Sequence, residues 1–335
     1  MKLRRVHTGD GAVAEYQNGD GSWDTLGDNS ALGGSPFDEQ WVRSVDRRHR
    51  QSSDLTLPFH PVSFRDFLLY EQHNIAASRG LVRRFHPGQF RATAVVEKLT
   101  GRPFPKFKPA KLFYEQPIYY MSNHLTFVPS GTPVKMPSYS RALDYELEIG
   151  FVLSAPLRNA SPAEATAAIG SFVLLNDFSA RDVQRREMGS GFGPQKSKHF
   201  GSSMSSTAVT ADEVLPRIND LTGTVALNGE VVSRVNSAGM QWSLGEMLAH
   251  ASRDEQLLPG ELFGTGTLPG GSGMETGNWL SIGGTLTLTL AQQFTIRIDK
   301  DTLIANPPVK TEGIAIHPIV AGYVGERVGL PGALN

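Results

Sequence analysis

The chain has 335 residues, enough to bury a sizeable core in one large domain or two smaller ones. Lys plus Arg (32) almost balances Asp plus Glu (33), giving a net charge of −1, which argues against an electrostatic nucleic-acid binder or a polybasic membrane-surface protein. The absence of cysteine excludes disulfides, thiolate zinc sites, iron–sulfur clusters and a Cys nucleophile.

Residues 1–57 are polar and punctuated by glycine, and they predict a small N-terminal β module or a partly mobile lead-in. Lys2, Arg4 and Arg5 have no apolar stretch behind them, and no run approaches ~18 apolar residues, so the expectation is a cytoplasmic protein without a membrane segment. The basic run at 43–50 reads as a solvated face, given the near-zero net charge. Leu57-Pro58-Phe59-His60-Pro61-Val62 marks a boundary, with the main domain over 58–335. Ser63 can cap a helix from Phe64 to about Ser78, whose core side carries Phe67, Leu68, Tyr70 and Ile75. Prolines predict an extended connector over 103–117. Strands follow at 119–121 and 125–128, then a turn at Ser130-Gly131-Thr132-Pro133 and a strand over 143–153.

Ser161 and Glu164 frame a short helix at 163–169, and 171–175 is a buried apolar run. Another helix begins near Ser179, with Asp182 completing a capping box. Asn228-Gly229 predicts a hairpin turn, and Ser243 with Glu246 caps a helix to about His250. A turn at Leu258-Pro259-Gly260-Glu261 leads into a strand ending at Gly264, and 285–298 alternates as a strand pair. The balance is a β-rich α+β fold with a few helices laid on the sheet.

Several catalytic motifs are missing. Gly270-Gly271-Ser272-Gly273-Met274 fails the nucleophile elbow at its last position, and Gly264-Thr265-Gly266-Thr267-Leu268-Pro269 fails the dinucleotide fingerprint in the same way. A carboxylate set stands out instead. In Leu143-Asp144-Tyr145-Glu146-Leu147-Glu148-Ile149-Gly150, Glu146 and Glu148 share one strand face, while Tyr145, Leu147 and Ile149 share the other. Two neighbouring acids repel unless a cation sits between them; the alternative is a solvent-facing polar edge. Asp177 ends a buried strand just before a helix, as a third oxygen ligand or as a helix cap. Oxygen donors without cysteine favour a hard cation, Mg²⁺ or Ca²⁺. Arg181 and Gln184 share a helical face. Asp66 and His73 are seven apart, so on one helix they share a side, the acid free to ligate and the imidazole free to meet substrate; the alternative is a structural histidine. The segment 193–201 reads as a polar loop with two lysines, and 264–275 as a glycine-rich loop able to approach a ligand or move as a lid.

Together these segments resemble the fumarylacetoacetate hydrolase family over roughly residues 58–290. Asp66-Phe67-Leu68-Leu69-Tyr70-Glu71-Gln72-His73, Glu146-Leu147-Glu148 and Asn176-Asp177-Phe178-Ser179-Ala180-Arg181-Asp182-Val183-Gln184 occur in the family's order. The resemblance implies the family's catalytic-domain fold, a mixed β-roll with flanking helices, behind the short N-terminal module. It implies a metal site of Asp66, Glu146, Glu148 and Asp177 holding Mg²⁺ or Ca²⁺, with Mn²⁺ as a further option. It implies His73 as the base, Glu275 as the acid that orients it, and Arg181, Gln184 and Lys198 at the oxyanion. Tyr120 and Thr267 match substrate-contacting positions. The implied reaction is hydrolysis of a carbon–carbon bond in a β-diketone or acylpyruvate-type 2,4-dioxo acid by a homodimer. The alternatives are a 2-oxo acid hydratase, decarboxylase or isomerase of aromatic catabolism and, further off, a non-catalytic metal-dependent binding protein. Two substrate positions of the family's tyrosine-degrading hydrolase differ here: one is Leu68 and the other falls near Val82.

Overall fold

The computed structural model describes residues 2–8, 11–25, 56–291 and 294–298; the basic run at 43–50 lies outside them. In chain order, β1 (Lys2–Thr8), β2 (Gly11–Gln17) and β3 (Trp23–Thr25) form a meander. β4 (Ser63–Phe67) leads into the helices α1 (Glu71–Phe85) and α2 (Pro87–Thr100). The one-turn α3 (Leu112–Glu115) precedes β5 (Tyr119–Met121), β6 (Phe127–Pro129), β7 (Leu143–Asp144) and β8 (Glu146–Leu153). Next come α4 (Pro162–Ala167), β9 (Ile169–Asp177), β10 (Ser179–Ala180), α5 (Arg181–Met188), β11 (Ser202–Met204), β12 (Thr207–Thr210) and α6 (Ala211–Val214). The chain continues through β13 (Thr222–Leu227), β14 (Glu230–Asn236), α7 (Leu244–Ala251), β15 (Glu261–Ser272), α8 (Gly273–Thr276), β16 (Leu286–Leu290) and β17 (Phe294–Ile298).

The large mixed sheet runs β3-β2-β1-β12-β9-β8-β15-β4-β5, and a second sheet runs β14-β13-β16-β17. Strand alternation sorts the side chains of β8 into two layers. Leu147, Ile149, Phe151 and Leu153 join a core shared with Val225, Leu288 and Ile296 of the second sheet. Val152, on the face of Glu146 and Glu148, packs with Phe64, Val173, Leu175 and Leu262. Two sheets around one core, with helices outside, make the mixed β-roll that the resemblance implies. The N-terminal meander extends the large sheet through β1 and β12, with Leu3 opposite Ala208.

Several local expectations hold because their causes are local. Ser161 with Glu164, and Ser243 with Glu246, each form a complete capping box. Asn228 and Gly229 take positive φ of 52° and 84° in the β13–β14 turn, and β16 pairs with β17.

Others are corrected. The helix expected over 64–78 starts only at Glu71, and Ser63–Phe67 is a strand, parallel to β15 and antiparallel to β5. Those two ladders satisfy its backbone, so tertiary pairing overrides local helix preference. Ser63 caps nothing; its hydroxyl donates to Glu261 at 2.7 Å. Asp66 and His73 therefore do not share a helix. Asp182 completes no capping box, because its carboxylate accepts from the Ser140 hydroxyl and the Arg141 N–H instead. The connector over 103–117 holds a 3₁₀ turn at Pro105–Phe107 and α3 rather than being extended throughout. The strand expected to end at Gly264 continues to Ser272, so 264–272 is bulged strand and not a loop.

Candidate active site

Three strands bring the acids to one end of the sheet. Asp66 is next to last in β4, Glu146 and Glu148 lie at the start of β8, and Asp177 ends β9, antiparallel to β8. Carboxylate oxygens of Asp66, Glu148 and Asp177 all lie within 4.8 Å of one another, and all three residues are buried. Oδ1 of Asp66 and Oε2 of Glu148 are buried without a hydrogen-bond partner. Gly264 makes room for both, since a Cβ there would stand 2.7 Å from the first and 3.1 Å from the second. Burial and the neighbouring Asp177 push the Asp66 carboxyl up to about 7. Burial, with Asp66, Glu146 and Asp177 beside it, raises Glu148 well above the usual carboxylate range. Converging acids with orphaned oxygens fit a divalent cation of oxygen preference.

Glu146 behaves differently from Glu148 and lies outside this group. Its Oε1 is 2.8 Å from Arg181 Nη1, and its Oε2 is ion-paired with Lys198. Burial opposes its charge, but Arg181 and Lys198 hold its pKa below the usual range. Lys198 also stands 2.7 Å from Asp177 Oδ2. Lys198, in the polar segment 193–201, is 2 % exposed among acids that it neutralises, so the segment is no exposed turn there.

Two side chains expected at a substrate hold acids here. Tyr120 Oη donates to Asp177 Oδ2 at 2.8 Å, and Thr267 Oγ1 donates to Glu148 Oε1 at 3.3 Å. Ser202 adds a donor to Asp177 Oδ1 at 2.9 Å. Both Tyr120 and Thr267 still line a cleft of about 470 Å³. Asp66, His73, Glu146, Glu148, Arg181, Gln184 and Lys198 line it too, while Asp177 and Glu275 stand behind its wall.

His73 sits in the first turn of α1, with Nδ1 3.1 Å from Oε2 of Glu275. The contact is at hydrogen-bonding distance, and Nδ1 is buried with no other partner. Burial pulls the His73 pKa down, yet the charge of Glu275 raises it above the ordinary value. Glu275 is held in place by three donors: Oε1 accepts from the Gly270 N–H, and Oε2, the oxygen facing His73, accepts from the N–H and the hydroxyl of Ser272. The segment 270–277, expected as a possible lid, is the end of β15 plus α8, packed against α1. Gly80 of α1 permits that packing, because a Cβ there would meet the Met274 carbonyl oxygen at 1.8 Å. Gly80→Ala should therefore push α8 away from His73, costing about 1–3 kcal/mol as overpacking. Thermal denaturation and turnover, measured together, should both fall.

Sequence reasoning missed Asp144. Its Oδ1 accepts from Gly273 N–H, and its Oδ2 accepts from Met274 N–H and from Arg181 Nε at 2.8 Å. One buried carboxylate thereby ties the arginine beside Glu146 to the helix bearing Glu275. The signal was available: Asp144, Glu146 and Glu148 occupy alternate positions.

Residues 92–299 match the family model for the fumarylacetoacetate (FAA) hydrolase C-terminal domain. That span takes in Glu146, Glu148, Asp177, Arg181, Lys198 and Glu275, while Asp66 and His73 precede it. Mitochondrial oxaloacetate tautomerase of Homo sapiens is 29% identical over 155 residues, 46% of this chain and 70% of that protein. Fumarylacetoacetase of Rattus norvegicus is 28% identical over 249 residues, 60% of this chain and 59% of that protein. The solved 5-carboxymethyl-2-hydroxymuconate delta-isomerase of Mycobacterium smegmatis shares the fold, with a TM-score of 0.62 at 19% identity over 91% of this chain and 100% of that one. Among the described residues no helix is long and apolar enough to cross a membrane. With the model match covering well over half of its length, the chain belongs to the fumarylacetoacetate hydrolase family.

Proposed function

We propose that the protein is a metal-dependent hydrolase that cleaves the carbon–carbon bond between C3 and C4 of a 2,4-dioxo acid. The observation that carries this reading is a histidine contacting a fixed carboxylate at the wall of a cleft that also holds the orphaned acids. Asp66, Glu148 and Asp177 would hold Mg²⁺ or Ca²⁺, with Glu146 paired to Arg181 and Lys198 beside them. A cation bound there supplies Lewis acidity toward the oxygens of a 2-oxo acid.

The chain's own residues do the rest. His73 keeps Nδ1 toward Glu275, which leaves Nε2 to take a proton from water. The resulting hydroxide adds to C4, the C3–C4 bond breaks with its electron pair left on C3, and His73 returns the proton to C3. A carboxylic acid and pyruvate leave. Gln184 Oε1 is occupied by Arg181 Nη1 at 2.9 Å, so its Nε2 is the donor for the oxygen developing at C4.

A second reading is supported by the likeness to oxaloacetate tautomerase. The same base would move a proton between carbon and solvent without breaking the carbon chain. One assay separates the two. Incubation of 2,4-dioxohexanoate with protein and Mg²⁺ in D₂O, followed by NMR, should yield pyruvate and propionate. Absence of those products overturns hydrolysis, and deuterium entering C3 faster than in a protein-free control supports the isomerase reading.

A further inference from the structure

The cleft wall divides by chemistry. Its buried part carries the acids, Lys198 and Arg181. Toward solvent it carries Leu68, Leu81, Ile118 and Met188, and Asn74 and Ser78 add an amide and a hydroxyl but no charge. Among the lining cations, Arg181 is committed to Asp144 and Glu146, and Lys198 to Glu146 and Asp177. That leaves Arg185, which is exposed on α5 and has no ion pair among the described residues. A second carboxylate against Leu68, Leu81 and Ile118 would lose its hydration without a buried partner in return.

The mouth is apolar on its own account. Met188 is 55% exposed, and Phe192 is 84% exposed between Gly191 and Gly193. Those glycines hold φ of 82° and 78°, with nothing within 4 Å of a Cβ at either. Gly193 and Pro194 line the cleft, so an unbranched, flexible methionine and an open, glycine-flanked segment border the same wall.

We propose that the cleft takes a 2-oxo acid whose far end is apolar, an alkyl or aryl tail rather than a second carboxylate, and that Met188 is the side chain that selects it. The inference rests on the proposed function only for the 2-oxo acid head. It is tested by calorimetry on the Mg²⁺-loaded protein with two acids of equal chain length, 2-oxohexanoate and 2-oxohexanedioate. The monoacid should bind about 10-fold tighter or more, the scale on which an apolar pocket discriminates. Met188→Lys, at an exposed position, should narrow or reverse that ratio while the melting temperature holds. Equal or tighter binding of the dioate, with the advantage lost in Arg185→Gln, overturns the proposal and makes Arg185 the reader of a second carboxylate. Binding of neither acid overturns it as well. If the ratio holds but 2,4-dioxohexanoate is not cleaved, the hydrolase reading falls and this inference stands. If cleavage occurs without the ratio, this inference alone falls.

Discussion

Glu148→Gln should abolish the heat of Mg²⁺ or Ca²⁺ binding and lower turnover by roughly 10³-fold, the scale of several kcal/mol of lost Lewis-acid stabilisation. It should do so without lowering the melting temperature in chelator. Glu148 and Asp66 place partnerless oxygens together in a buried site. The raised Glu148 pKa means that the folded state binds this proton more tightly than the unfolded chain does. Its charge therefore opposes folding as pH climbs above the ordinary carboxylate value, and Asp66 adds the same penalty up to about 7. A neutral amide removes the Glu148 share, so at neutral pH the metal-free variant should melt no lower than the parent. The rise in melting temperature on adding Mg²⁺ should vanish. Glu146→Gln should behave in the opposite way. It strips a carboxylate from Arg181 and Lys198, both buried, and should melt lower in chelator while keeping more of the binding heat. A Glu148→Gln protein with parental Mg²⁺ heat, or the two variants behaving alike, would refute the three-acid site.

That contrast also marks where the sequence stops being legible. Glu146 and Glu148 look equivalent in an alternating strand. What separates them is Arg181 and Lys198, which lie 35 or more positions away in the chain and reach Glu146 only after folding. The strand at 63–67 was hidden for the same reason, since its partners are residues 119–121 and 261–264. By contrast, the boxes at Ser161 and Ser243 are complete within four residues, so they could be read directly. A third box, Ser272 with Glu275, has the same spacing, but in sequence the glycines around it read as a loop. Those glycines serve close approach instead: a Cβ on Gly264 would crowd the acid oxygens, and one on Gly266 would stand 2.3 Å from the Phe67 carbonyl oxygen. The site residues were recoverable as types and order. Their division into a cation-binding group and a cation-paired acid was not, because it depends on distances across four strands.

His73→Ala should lower kcat by ~10²–10⁴, the range for loss of a positioned base. Glu275→Gln should lower it by ~10² or more, and the double variant should be little worse than His73→Ala alone, because an orienting carboxylate has nothing to act on once the ring is gone. The pH profile carries the sharper test. Around His73 stand Glu275 and Glu146, which favour its protonation, and Arg181 and burial, which oppose it; the acids prevail. A base works only when neutral, so parental activity should fall as pH drops through a value above the ordinary histidine pKa of about 6.5. Removing the Glu275 charge takes away the largest of the raising influences, so the acid limb should move to lower pH even as the maximum drops. Glu275 also accepts from Ser272 in the cap of α8, and a purely structural role there would lower stability without moving that limb. Ser272→Ala separates the two roles: it should cost about 1 kcal/mol as a lost cap and leave the limb where it was. If Glu275→Gln instead keeps kcat within about twofold and the limb unmoved, Glu275 only caps its helix, and the contact at 3.1 Å orients nothing.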